Sequence, residues 1–266
     1  MLSDQEISNY LSRISYDGGT DLTITTLKSL HLSHMYTVPF ENLDITLGRK
    51  FTVSPHYVID KIVLNQRGGF CYEVNYAFSL LLASLGFDVK LLAARVHDGG
   101  DFGKPFAHLL LLVNLHGKEI LADVGFGDSF REPLFLNDEI SKQCDTEYKI
   151  EKKGSEYTLL QCKDGYIWKP QYRFSLKTYP IDAFSDMCEY QQTSTESTFT
   201  RKTICSIAGS HGRKTISNNR FIDTVADSKT EREIYSEEEY RSLLENHFQI
   251  YLSDDPNISK LLVNHL

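Results

Sequence analysis

The sequence predicts an α+β fold built around an antiparallel sheet or barrel. Three observations predict it. Helical periodicities occupy residues 1–86, β-rich runs broken by Gly and Pro continue to about residue 205, and a helix signal returns near the C-terminus. Helices and strands therefore segregate along the chain, which argues against a βαβ array.

Each element has a local reason. Ser3 and Glu6 make a capping box ahead of Ile7, Tyr10, Leu11 and Ile14, and Asp17–Gly18–Gly19 ends that helix. A second helical pattern runs from about Thr23 to His34, and VPFENLDITLG reads as a loop. Ser54–Pro55 supplies an N-cap and a first-turn proline for a helix with Val58, Ile59, Ile62 and Val63 on one face. In RGGFCYEVNYAFSLLLASLGF, Val74, Ala77, Phe78, Leu81, Leu82 and Leu85 recur at helical spacing. Gly68 and Gly69 are poor helix formers, so this helix starts near Phe70 or Cys71, and Gly86 stops it. FDVKLLAARV, FAHLLLLVNL and KEILADVGF read as strands, with weaker strand signals in EYTLLQ, GYIWKP and YRFSL. Ser236 and Glu239 form a last capping box before Leu243 and Leu244.

Composition narrows the class. The 266 residues are 41% hydrophobic and 24% charged, as in soluble globular proteins. A net charge of −8 argues against a nucleic-acid partner. No apolar run approaches the roughly 18 residues of a membrane span, and MLSDQEISNY lacks the basic and apolar regions of a secretory signal. These features predict a cytoplasmic protein with reduced thiols and no membrane partner. The cysteines are Cys71, Cys144, Cys162, Cys188 and Cys205; they form no CxxC pair, so no metal site is expected.

The candidate chemistry centres on Cys71. At a helix N-terminus the free N–H groups and the dipole favour negative charge on sulfur, although a cysteine there also reads as a core residue. His108 interrupts an apolar strand. A two-residue turn at His116–Gly117 pairs Leu115 with Lys118, which sets Asp123 opposite Leu110 and His108 opposite Gly125. His108 and Asp123 then share a face as diagonal neighbours, and a one-residue slip would separate them. A buried carboxylate needs a partner, and one that orients an imidazole beside a thiol gives an activated nucleophile. Glu41 and Arg67 read as a structural salt bridge between two loops. DVGFGDS can form an N–H nest for phosphate, and SHGRKT places basic residues in a turn.

VPFENL at 38–43, RGGFCYEVN at 67–75, LAARV at 92–96, His108 before an apolar run and ADVGFG at 122–127 occur in that order. With the looser segment from Gln191 to Ser217, they resemble the arylamine N-acetyltransferase family in its bacterial form. The resemblance implies a helical bundle over 1–86, a β-barrel over 87–200 and an α/β lid over 201–266, around a cysteine-protease-like Cys-His-Asp core. It implies ping-pong acetyl transfer from acetyl-CoA, a co-substrate rather than a resident cofactor, to arylamines, arylhydroxylamines or hydrazines. Cys71, His108 and Asp123 match the triad, Phe40 and Phe126 the acceptor pocket, and Gly125 and Gly127 the loop near the CoA pyrophosphate. Arg213 and Thr215 are further candidate CoA contacts, and a monomer or homodimer is implied. The same triad also fits a macrolactam-forming amide synthase, a transglutaminase-like cysteine hydrolase, or a binding protein that kept the fold.

Overall fold

The helices open where their caps stand. In the computed structural model, which describes residues 1–137, 139–163, 165–225, 228–252 and 255–262, α1 (Asp4–Arg13) starts from a Ser3–Glu6 capping box closed in both directions. The Thr23 hydroxyl caps α2 (Ile24–Thr37), which runs past the expected end at His34. The segment read as a loop is structured: it holds β1 (Phe40–Glu41) and α3 (Leu43–Leu47), ended by Gly48 at φ +76°. Leu43 and Leu47 explain the difference, because they are spaced one helical turn apart and pack into the C-terminal apolar core. α4 (Pro55–Ile59) begins at the Ser54–Pro55 cap and passes into a π-helical turn over Asp60–Leu64. α5 (Cys71–Ser84) begins at Cys71 and stops short of Gly86, which lies at φ +98°.

Among the described residues eight strands follow: β2 (Asp88–Val96), β3 (His108–Leu115), β4 (Lys118–Ala122), β5 (Leu134–Phe135), β6 (Ser141–Gln143), β7 (Thr146–Lys153), β8 (Glu156–Cys162) and β9 (Lys169–Thr178). They form one antiparallel sheet in the order β5-β4-β3-β2-β9-β8-β7-β6. Of GYIWKP only Lys169 and Pro170 join a strand. The edges nearly close into a barrel: the Gln143 amide on β6 accepts the N–H groups of Arg131 and Glu132, at 2.8 and 3.0 Å, and donates to the Glu132 carbonyl at 2.9 Å. β3 is buried on both faces, which explains its near-continuous apolar run. Leu109, Leu111 and Val113 face the helices, while Leu110 and Leu112 face the barrel interior.

The last part holds α6 (Ser185–Thr193), α7 (Thr198–Arg201), β10 (Ile204–Gly209), β11 (Gly212–Ser217), β12 (Arg220–Val225), β13 (Ser228–Glu233) and α8 (Glu237–Phe248). β1 pairs with β10, so the second sheet runs β1-β10-β11-β12-β13 and joins the N-terminal half to the C-terminal one. The Ser236 hydroxyl caps α8 as expected, but the reciprocal half of the box is redirected. The Glu239 carboxylate accepts the Tyr235 N–H and pairs with Arg232. The fold is α+β, with a nearly closed antiparallel barrel between a helical bundle and an α/β part.

Candidate active site

α5 delivers two side chains to one place. Cys71 opens the helix and is 3% exposed; Asn75 lies one turn later on the same side and is fully buried. Two glycines permit the close approaches around them. A Cβ at Gly68 would stand 2.0 Å from the Pro39 carbonyl oxygen, and one at Gly125 would stand 2.8 Å from the Cys71 Cα and 2.7 Å from Asn75 Nδ2.

The hairpin register is the one the turn dictates. Leu115 pairs with Lys118 and Leu111 with Ala122, and both turn residues have positive φ, +52° at His116 and +78° at Gly117. β4 ends at Ala122, so Asp123 lies one residue past the ladder, and there it meets His108: Nε2 lies 2.7 Å from Asp123 Oδ2, with both side chains buried. The other carboxylate oxygen, Oδ1, accepts from Asn75 Nδ2 at 2.8 Å and from the Gly125 N–H at 3.0 Å. Asn75 also donates to the Leu109 carbonyl and accepts the Val124 N–H, so a single amide ties α5 to both strands of the hairpin. Sequence reasoning missed Asn75, whose partners come only from tertiary approach.

Electrostatics follow from this geometry. Burial opposes charge on His108, but the Asp123 carboxylate and its hydrogen bond outweigh it, and the contact with Cys71 adds to them. The imidazole is raised to about 10. Burial acts to raise the Asp123 carboxyl, yet His108, Asn75 and the Gly125 N–H hold it below its ordinary value. With Nε2 committed to Asp123, Nδ1 is the ring nitrogen left for the thiol.

Cys71 and His108 line a cavity of about 360 Å³ with Phe40, Val96, Gly125, Phe126, Gly127, Asp128 and Phe199. The Phe126 ring meets His108 edge-on, 5.0 Å away. Phe199, on α7, was not singled out from its polar surroundings in sequence. An adjoining cavity of about 470 Å³ shares Asp128 and carries Arg131, Lys163, His211 and Arg213. Thr215 is turned away: its hydroxyl bonds to Ser206, and it lines neither cavity. Gly125 keeps its N–H for Asp123, so the nest read in DVGFGDS is partly occupied from within.

Glu41 and Arg67 form a buried pair, with Arg67 Nη2 2.7 Å and Nε 3.0 Å from Glu41 Oε1. The cluster is larger than the sequence indicated. Arg67 also reaches Asp44 at 3.0 Å, and the Lys61 ammonium lies 2.7 Å from both Asp44 and Glu73. Glu73 in turn accepts the Phe70 N–H immediately before Cys71, so the cluster braces the start of α5.

Fold and site together have the form of a thiol-enzyme class, with a cysteine and an imidazole lining one cavity and a carboxylate behind the imidazole. Residues 23–257 match the family described as N-acetyltransferase. An arylamine N-acetyltransferase of Escherichia coli is 35% identical over 190 residues, spanning 70% of this chain and 63% of that protein. The solved arylamine N-acetyltransferase of Salmonella typhimurium has a TM-score of 0.89 at 25% identity, covering 98% of this chain and 97% of that one. The Mycobacterium marinum enzyme, solved in complex with CoA, gives 0.87 at 26% identity over 96% of each chain. Proansamycin X synthase of Amycolatopsis mediterranei is 28% identical over 250 residues, 90% of this chain and 95% of that protein. The chain belongs to the arylamine N-acetyltransferase family.

Proposed function

We propose that this chain moves an acetyl group from acetyl-CoA to an arylamine, arylhydroxylamine or hydrazine through a thioester on Cys71. The observation that carries the reading is the 2.7 Å contact between Asp123 and His108, the imidazole that lines one cavity with Cys71. In the first half-reaction the Cys71 thiolate attacks the thioester carbonyl carbon. The carbon–sulfur bond to CoA breaks, and the departing CoA sulfur takes the His108 proton. In the second half-reaction the amine nitrogen attacks the acetyl carbonyl, His108 accepts the amine proton, and the Cys71 thiolate leaves. Asp123 stabilises the imidazolium and orients the ring throughout.

The lining suits an uncharged aromatic acceptor. Phe40, Phe126 and Phe199 offer ring faces and edges. Asp128, a carboxylate in the wall, is engaged by Lys163 and lies 3.5 Å from Arg213, so it is not free to hold an ammonium. The adjoining basic cavity suits the phosphates of CoA, with Gly127 and Arg213 beside the path to Cys71. In this reading residues 1–86 carry the nucleophile, 87–200 the base and carboxylate, and 201–266 the lid, and the protein works in the cytoplasm as a monomer or homodimer.

Initial rates with acetyl-CoA and an aromatic amine test the reading. Double-reciprocal lines at several fixed amine concentrations run parallel for a ping-pong transfer, with one CoA released per acetylated amine. Converging lines contradict the thioester route. Absence of CoA release favours the synthase-type chemistry named for the Amycolatopsis relative.

A further inference from the structure

A buried imidazole outside the Cys-His-Asp set grips both ends of the segment that carries Asp123. His31, on α2, is fully buried. Its Nδ1 lies 2.7 Å from the Arg131 carbonyl oxygen, and its Nε2 lies 3.1 Å from the Asp123 backbone nitrogen. A carbonyl can only accept and a backbone N–H can only donate. The two contacts are satisfied together by one form of the ring, neutral with its proton on Nδ1. The ring is also confined: it stacks on Phe130 at 5.8 Å and meets Phe78 edge-on at 5.9 Å. Burial lowers its pKa to about 4 against the opposing pull of the Arg131 carbonyl and Asp123, so it stays uncharged near neutral pH.

Between the two anchors lies one wall of the active-site cavity, including Gly125, Phe126, Gly127 and Asp128. Beyond the second anchor, the Arg131 guanidinium donates to the carbonyls of Ser210 and Gly212, at 2.9 and 3.0 Å. The side chain of Asp123 is fixed by His108, Asn75 and Gly125, and its main chain is fixed by His31. Losing the ring leaves a buried N–H without an acceptor and frees the backbone from which the carboxylate projects. We propose that His31 is a positioning residue for acyl transfer: as the neutral Nδ1–H tautomer it clamps both ends of segment 123–131 and so sets the carboxylate that aims His108 at Cys71. This rests on the roles given above to Cys71, His108 and Asp123.

Two substitutions separate positioning from packing. His31→Phe keeps a ring of similar shape and removes both polar contacts, whereas the His31→Gln amide can donate to Arg131 and accept from Asp123. The readout is the rate of Cys71 alkylation by iodoacetamide at pH 6 relative to pH 8, followed on the Cys71 peptide so that exposed Cys144 is counted apart. Packing loss alone leaves this ratio unchanged. His31→Phe is expected to lower the ratio and to reduce kcat about 10-fold or more with little change in KM, while His31→Gln stays near wild type. A folded His31→Phe protein with the wild-type ratio, or a His31→Gln protein as impaired as His31→Phe, overturns the proposal. If His31→Phe does not fold, nitrogen NMR of the wild-type imidazoles decides: a proton on Nδ1 alone at pH 7 supports the clamp, and a charged ring or a proton on Nε2 overturns it. Alkylation needs no acetyl donor, so this comparison remains readable even if acetyl transfer is not the reaction.

Discussion

Asp123 divides its two oxygens between tasks, Oδ2 for His108 and Oδ1 for Asn75 and Gly125. That division makes Asp123→Asn informative, because an amide keeps the shape but replaces an acceptor with a donor. The His108 ring then loses either its tautomer or its orientation. Single-turnover acetylation of Cys71 is expected to slow by about 10³–10⁴-fold with the fold retained, the scale seen when a triad carboxylate becomes an amide. A rate close to wild type would reduce Asp123 to a structural role. At this scale much was legible. The His116–Gly117 turn sets the register of β3 and β4 as far as Leu111 and Ala122; the ladder ends there, short of the expected pairs of Asp123 with Leu110 and His108 with Gly125, and Asp123 reaches His108 from one residue beyond the strand. Asn75 was not legible, because its value depends on α5 lying against the hairpin at Gly125, which no local pattern encodes.

The elements around the nucleophile are joined by buried charge. Glu41 and Asp44 come from the segment read as a loop, Lys61 from the π-helical turn, Arg67 from the stretch before α5 and Glu73 from its first turn. A cluster like this is sensitive to loss of one member, because its partners remain buried and uncompensated. Arg67→Met takes the guanidinium from Glu41 and leaves it Lys61 only at 3.9 Å, while Asp44 keeps Lys61 at 2.7 Å, and urea unfolding is expected to show a loss of about 3 kcal/mol. A loss under about 1 kcal/mol, the range of exposed pairs, would mean that water reaches the cluster. Element boundaries were legible where a cap stands in sequence, at Ser3, Thr23, Ser54 and Ser236. They were not legible in α6 or in β13. β13 is exposed along its whole length and so shows no alternation of apolar residues. β1 and α3 were missed for a related reason, since β1 pairs with β10 and α3 packs against the 3-10 turn Ile258–Leu262, both far along the chain.

For the whole molecule, the buried groups predict how stability depends on pH. His108 is raised to about 10 in the folded protein from an ordinary 6.5. Its contribution is fully present below about 6.5 and is lost as pH rises through about 10. Glu73 has the same sign: burial raises it to about 7 despite Lys61, so its contribution is present below 4.5 and fades as pH rises through about 7. Asp44 has the opposite sign. Burial works against its charge, but Lys61 and Arg67 win and lower it to about 2, so its contribution is lost as pH falls toward that value. Urea unfolding is therefore expected to show greatest stability on the acid side of neutrality and a decline from pH 7 to pH 10. Buried His31 and His34, both lowered by desolvation, act in the opposite sense between pH 5 and pH 6.5, so Glu73→Gln should make stability rise more steeply with pH in that window. Stability that climbs between pH 7 and pH 10 would contradict the charge state assigned to His108. The order of the three parts and the family resemblance could be read from the chain. The way β1 and α3 cross into the C-terminal sheet and core could not.

Whether Cys71 takes the acyl group is decided by the intact mass of the protein after brief exposure to acetyl-CoA without acceptor. A gain of one acetyl group is expected, located on the peptide carrying Cys71, abolished in Cys71→Ala and discharged on adding an aromatic amine. No mass gain, or an acetyl group that persists in Cys71→Ala, would contradict acylation of Cys71.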